Sequence, residues 1–197
     1  MPTAADTRLG RLARKREPLP ERCDLCAAPM AADHRHLLEP EARELQCACR
    51  ACALLFDRGG RYLLVPTRRI RLDSLVLSDL MWEELRLPVD IAFFLRDSRA
   101  GRVMAYYPGP MGATESHLEL SAWQELEAAN PVLATLEPDV EALLVNRAQG
   151  ARQHWLVPID DPFRLVAVIR THWKGLTGGR EVWLQIPRFF DGLTERR

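Results

Sequence analysis

Apolar and polar positions along this chain switch between a period of two and a period near four, and the switches mark its elements. YLLV at 62–65 is a short apolar run stopped by Pro66, which predicts a strand. LSDLMWEEL at 77–85 places Leu77, Leu80, Met81 and Leu85 at helical spacing. DIAFFLRDS and GRVMAYYP follow as two strands. DSRAG (97–101) joins them as a hairpin, because Gly101 can take the positive φ that a tight connection needs. LSAWQELEAAN then reads as a helix. Ser121 is placed to cap it, Gln124 stands at N3 to complete a capping box, and Asn130-Pro131 ends it.

DVEALLVNR and RQHWLVPI read as antiparallel strands flanking the turn AQG at 148–150. DDPFRLVAVIRTHW opens with Asp160 and Asp161 as a cap and Pro162 at N1. Positions 162, 165, 166, 169 and 173 make an apolar stripe, although LVAVI alone also fits a buried strand. TGG breaks the chain before a last segment with Val182, Ile186, Phe189, Phe190 and Leu193 at helical spacing. Pro187 inside it predicts a kink or a split. Residues 57–197 are therefore expected to form an α+β body, a mainly antiparallel sheet covered by helices. The five tryptophans lie on its apolar faces, which assigns them to core packing rather than base stacking.

Composition narrows the class. A hydrophobic fraction of 47% and a charged fraction of 27% suit a soluble globular chain. Formal net charge is zero, so no global field favours a nucleic acid or an anionic membrane. No apolar run approaches the ~20 residues that span a bilayer, and the N-terminus lacks the apolar region of a secretory signal. A cytoplasmic location follows as the expectation. Residues 1–22 carry six basic and three acidic side chains with three prolines, and read as a disordered, mildly basic arm.

A reducing compartment turns attention to the five cysteines, which all fall within residues 23–56 at the spacing C-x2-C-x20-C-x-C-x2-C. Two C-x2-C pairs about twenty residues apart are the zinc-ribbon and rubredoxin arrangement. A loop of that length aims both thiolates at one ion while its backbone N–H groups donate to sulfur, and the span between the pairs can be a hairpin. This selects Cys23, Cys26, Cys49 and Cys52 as metal ligands. Cys47 precedes Cys49 by two residues and is expected on the same side of an extended chain; it is either a small buried hydrophobe or extra sulfur near the site. ALLF at 53–56 reads as a strand tying this module to the body. His34 and His36 lie between the pairs and could replace a cysteine, form a second site, or stay at the surface.

Zinc is the default metal for four thiolates, with iron as the alternative. Rubredoxin-type knuckles carry Gly after the second Cys, where this chain has Ala27 and Ala53, which favours zinc. An all-thiolate site has no open position, so the metal's role is structural. Elsewhere no nucleotide-loop, nucleophile-elbow or zinc-protease pattern occurs. GPMGATES (109–116) is Gly-rich but holds no Lys or Arg, so it reads as a strand-to-helix connection; Glu115 and His117 mark the place for any second interaction surface. Glu137, Asp139 and Glu141 read as a solvated helix start or strand edge.

RCDLCAAPM, HRHLLE, CACRACALLF, PVDIAFFLRDSRAGRVMAYYPGPMGATES, ANPVLATLEPDVEALLVNR and HWLVPIDDPFRLVAVIRTHWKGLTGG together resemble a bacterial family whose genes cluster with those of oxygen-tolerant uptake nickel–iron hydrogenases. The resemblance spans about residues 22–193. It implies a setting rather than a mechanism, and carries over no catalytic residues. The expectation is a non-enzymatic accessory protein, its N-terminal zinc ribbon rigidified by metal, binding a protein partner such as a hydrogenase subunit. A rubredoxin-like iron protein passing electrons to or from a hydrogenase is the alternative. A nucleic-acid-binding ribbon ranks third, because Arg22, Arg35, Arg43, Arg50 and Arg58 are balanced by six nearby carboxylates. No small-molecule substrate is indicated.

Overall fold

The computed structural model describes residues 21–56, 60–117 and 119–195. It holds two antiparallel sheets. The smaller is built from β1 (Arg35–Glu39), β2 (Glu44–Ala48) and β3 (Leu63–Leu64) in the order β2-β1-β3, with helix α1 (Arg50–Phe56) following β2. The larger takes its strands from β4 (Ile70–Arg71), β5 (Ile91–Asp97), β6 (Arg102–Gly109), β7 (Gly112–Ser116), β8 (Glu141–Asn146) and β9 (Gln153–Pro158). Their order is β4-β9-β8-β5-β6-β7. Four helices accompany it: α2 (Asp79–Glu84), α3 (Leu120–Ala129), α4 (Asp160–His172) and α5 (Gly179–Glu195).

Helices cover both faces of the large sheet. On one face Phe93, Leu144, Trp155 and Val157 pack against Leu165, Val166 and Ile169 of α4 and Val182, Ile186 and Phe190 of α5. On the other, Phe94, Leu143, Val145 and Leu156 meet Trp82, Trp123 and Leu126. This is why the central strand β8 reads EALLVN with no outward polar alternation: all six of its residues are buried. The α+β expectation and the antiparallel pairing of β5 with β6 and of β8 with β9 hold. The β5–β6 turn forms as its composition requires. The Asp97 carboxylate accepts the N–H groups of Arg99 and Ala100 at 3.0 and 2.8 Å, and Gly101 takes φ 62°.

Several local readings change. Ser121 does not cap α3; Glu119 is the cap residue and makes no side-chain cap bond, while the Ser121 hydroxyl donates to the Glu119 carboxylate. GPMGATES is not a strand-to-helix connection but the turn of the β6–β7 hairpin and strand β7 itself. Pro187 lies inside α5 without splitting it. It is exposed, so the carbonyl left without its N–H partner can turn to water while the buried stripe Val182, Ile186, Phe190 and Leu193 holds the helix down. Asp160 and Asp161 stand in the first turn of α4 rather than capping it.

The segment 66–69 carries the chain from the small sheet to the large one. Arg68 binds Glu141 through Nε and Nη2, each at 2.5 Å, and Arg69 binds Asp161 at 2.5 and 3.1 Å. Both carboxylates are fully buried, which overturns the solvated reading of Glu141 and the capping reading of Asp161. In an extended chain adjacent side chains diverge; here they reach two different elements, β8 and α4. Leu38 and Val65 add apolar contacts to the body's core, and Arg43 of the β1–β2 turn pairs with Asp97 at 2.5 Å. Among the described residues no helix is long and apolar enough to cross a membrane.

Candidate metal centre

The first C-x2-C pair sits in a tight loop closed by a bridge between Arg22 and Pro29. Cys23 N donates to Ala28 O at 2.9 Å and Ala27 N to Cys23 O at 2.8 Å. Ala27 takes φ 58°, the left-handed conformation for which glycine is the usual residue. The Gly-to-Ala departure at this position therefore leaves the loop's geometry intact. Of the arm assigned to residues 1–22, residues 1–20 lie outside the described residues; Glu21 and Arg22 belong to the knuckle.

β1 and β2 form the hairpin between the two pairs, in a register that sets His36 opposite Cys47. The second pair differs from expectation. ALLF is helix, not strand, and Cys49 stands immediately before α1, with Cys52 in its first turn. Cys49 acts as the helix cap: its sulfur accepts the Cys52 N–H at 3.5 Å, and its carbonyl accepts the Ala53 N–H at 2.9 Å. Knuckle, hairpin and helix start thus bring the ligands together, in place of two matching knuckles.

Cys23, Cys26, Cys49 and Cys52 each offer a sulfur within 4.8 Å of the others. Cys26 Sγ and Cys49 Sγ are 3.7 Å apart and all five cysteines are free thiols. Four sulfurs each ~2.3 Å from one zinc ion lie ~3.8 Å from one another in a tetrahedron, so the cluster fits such an ion. Cys23 and Cys52 are buried, Cys26 faces solvent.

The protein environment treats the thiols unequally. Burial pushes Cys23 up, but N–H groups of Cys49, Leu25 and Cys26 aimed at its sulfur outweigh that and bring it down to about 6. Burial, reinforced by the neighbouring sulfurs, pushes Cys52 up to about 12. Cys26 receives the Ala28 N–H, which lowers it, yet the adjacent Cys23 and Cys49 leave it raised. Four thiolates at this spacing repel one another, and a divalent cation removes that repulsion. The cluster can hold one metal ion.

Cys47 does not join them. β2 ends at Ala48, so the alternation that would have aligned Cys47 with Cys49 stops before it reaches Cys49. The Cys47 side chain falls instead with His34 and His36. Its backbone is held by the knuckle: Cys47 N donates to Asp24 Oδ2 at 2.6 Å and Asp24 N to Cys47 O at 2.9 Å. Glu115 and His117 are exposed at the far end of edge strand β7 and belong to neither cluster. Motif reading passes over Asp24 and takes Asp160 only as a helix cap; the parts both play depend on contacts across the fold.

No curated protein and no solved structure matches the chain. The model of a family of unknown function, DUF5947, matches residues 22–197, nearly the whole length, and the chain belongs to that family.

Proposed function

We propose that the chain is a zinc-stapled accessory protein that works by binding another protein, and that its four-thiolate centre is structural. The observation that carries this reading is helix α1. The metal cluster fixes its first turn through Cys49 and Cys52, while its other end presents Leu54 and Leu55 at 69% and 74% exposure. Apolar side chains displayed beside a rigid centre support docking onto an apolar partner surface. The closed sulfur set supports zinc in a structural role, since four protein ligands leave no position for a substrate. Arg43 is neutralised by Asp97 and nearby carboxylates balance the module's other arginines, which favours a protein partner over a nucleic acid.

The resemblance to a family encoded beside nickel–iron hydrogenases supports a hydrogenase subunit as that partner. Co-purification from cells expressing such a hydrogenase tests it, comparing the wild-type chain with a Leu54→Glu/Leu55→Glu variant. The reading expects hydrogenase subunits with the wild type and their loss with the variant. Recovery of none with the wild type sinks it. The same samples identify the metal: zinc leaves the protein colourless, whereas a ferric tetrathiolate absorbs strongly in the visible and would establish the redox alternative. Retention of metal by both Cys26→Ser and Cys49→Ser would overturn the four-ligand assignment.

A further inference from the structure

A second group of metal-binding side chains lies apart from the four sulfurs. Antiparallel pairing puts His36 directly opposite Cys47, and directly opposed residues share a face. His34 precedes His36 by two residues and falls on the same side of the extended chain. His34, His36 and Cys47 each offer a ligand atom within 4.8 Å of the others, and the two rings meet edge to face at 4.9 Å. The three form one wall of a cavity of about 880 Å³, whose opposite wall comes from the body through Thr67, Arg69, Asp160 and Arg164.

Each imidazole has one nitrogen already held. His34 Nδ1 lies 3.1 Å from the Ala31 carbonyl oxygen and 3.3 Å from Glu21 Oε2, and His36 Nδ1 lies 3.2 Å from Asp160 Oδ2. In neutral rings these acceptors keep the proton on Nδ1 and leave Nε2 with its lone pair. His34 Nε2 is buried and has no hydrogen-bond partner among the described residues. A buried polar atom in that state is destabilising, and a bound cation would relieve it. Histidines that ligate metals show this arrangement, one nitrogen on the ion and the other N–H on a carboxylate or backbone carbonyl.

We propose that His34, His36 and Cys47 form a second metal site, for a divalent transition ion such as zinc. Two imidazoles and a thiolate suit a borderline-soft cation. Three protein ligands leave a fourth position that opens into the cavity, the pattern of a reactive rather than a structural zinc. An ion there binds water or a small anion. The site shares no ligand with the four-thiolate centre and does not depend on any partner.

The test uses the full chain, stripped of metal under reducing conditions and titrated with cobalt(II), with metal per chain and visible spectrum read together. Wild type should take up a second equivalent, with d–d bands that shift when azide is added. Cys47→Ser and His36→Ala should each lose that equivalent and the azide response while keeping the sulfur-to-cobalt charge-transfer band of the four-thiolate centre. Cys47→Ser changes one atom, so it decides the matter if the histidine variant fails to fold. Asp160→Ala, which removes only the group orienting His36, should weaken the second site about 10- to 100-fold. A wild type that binds one equivalent, variants that keep two, or an azide-insensitive spectrum would each overturn the proposal. So would loss of the charge-transfer band in Cys47→Ser, which would return Cys47 to the first centre.

Discussion

Arg68 offers the sharpest test of how the small sheet is fixed to the body. Its guanidinium, 40% exposed, forks onto Glu141, whose side chain has no solvent exposure and whose second oxygen also accepts the Glu137 N–H at 2.9 Å. Arg68→Ala removes the countercharge and strands a carboxylate in the central strand of the large sheet. Breaking a buried pair from one side costs about 3–5 kcal/mol, far more than the pair contributes over an apolar substitute, because the remaining charge stays desolvated. In a chain of this size each kcal/mol moves the thermal midpoint by about 2–4 °C. The variant should therefore melt roughly 6–20 °C below wild type at pH 7.

The pH dependence gives an independent check. A stranded interior carboxylate escapes its penalty by taking a proton. The variant's native state would then hold a proton that its unfolded chain releases, so acid favours the native state and the deficit narrows as pH falls from 7 towards 5. Arg68→Met combined with Glu141→Met leaves no stranded charge and should lie within about 1 kcal/mol of wild type. Thermal melts across that pH range measure all three chains. A single-variant deficit below about 0.5 kcal/mol, one that stays flat with pH, or a double variant as weak as the single would refute the buried-charge account.

Four further outcomes follow from the knuckle and the α4–α5 connection. Metal binding to the apo chain at pH 7.5 should release at least two protons, from Cys26 and Cys52, whose thiols are both raised; calorimetry in buffers of different ionisation enthalpy counts them, and zero release would mean the sulfurs are not the ligands. Metal affinity should fall as pH drops, because protons compete for every thiolate. Ala27→Gly should leave metal content unchanged and raise stability by up to about 1 kcal/mol, since it relieves the left-handed backbone at φ 58°; a lower melting midpoint would contradict that. Gly178→Ala should lower the midpoint, because its φ is +87° and a Cβ would stand 2.9 Å from Val182 Cγ1 and 3.2 Å from Trp173; an unchanged melt would show that this turn yields.

What could be read before the structure was local. The β5–β6 hairpin follows from Asp97 and Gly101 acting within five residues, and the choice of four sulfurs follows from two C-x2-C spacings. Misreadings begin where a residue's partner is distant or its burial runs against type. Glu141 and Asp161 are separated from Arg68 and Arg69 by 73 and 92 positions, so nothing near either carboxylate announces its arginine. ALLF, an apolar run, reads as a strand that ties the metal module to the body. Leu54 and Leu55 are exposed instead, and the segment is helical because the Cys49 sulfur caps it. Placing Cys47 on the same side as Cys49 needs β2 to continue, whereas the strand ends between them.

That last point explains how five thiols serve two places. Asp24, inside the first knuckle, exchanges two backbone-directed hydrogen bonds with Cys47. The knuckle therefore grips the end of β2 by its main chain, leaving the Cys47 side chain to face His36 across the hairpin. A metal ion in the four-thiolate cluster fixes the knuckle, the knuckle fixes Asp24, and Asp24 fixes the strand position from which Cys47 meets the two histidines. Emptying the first centre should thus loosen the second even though they share no ligand. By linkage the coupling is reciprocal, so an ion held by His34, His36 and Cys47 favours the four-thiolate centre by the same factor. Metal loading is expected to be ordered by affinity: the first centre offers four sulfurs to a soft ion against one sulfur and two imidazoles at the second, so the four-thiolate centre fills first.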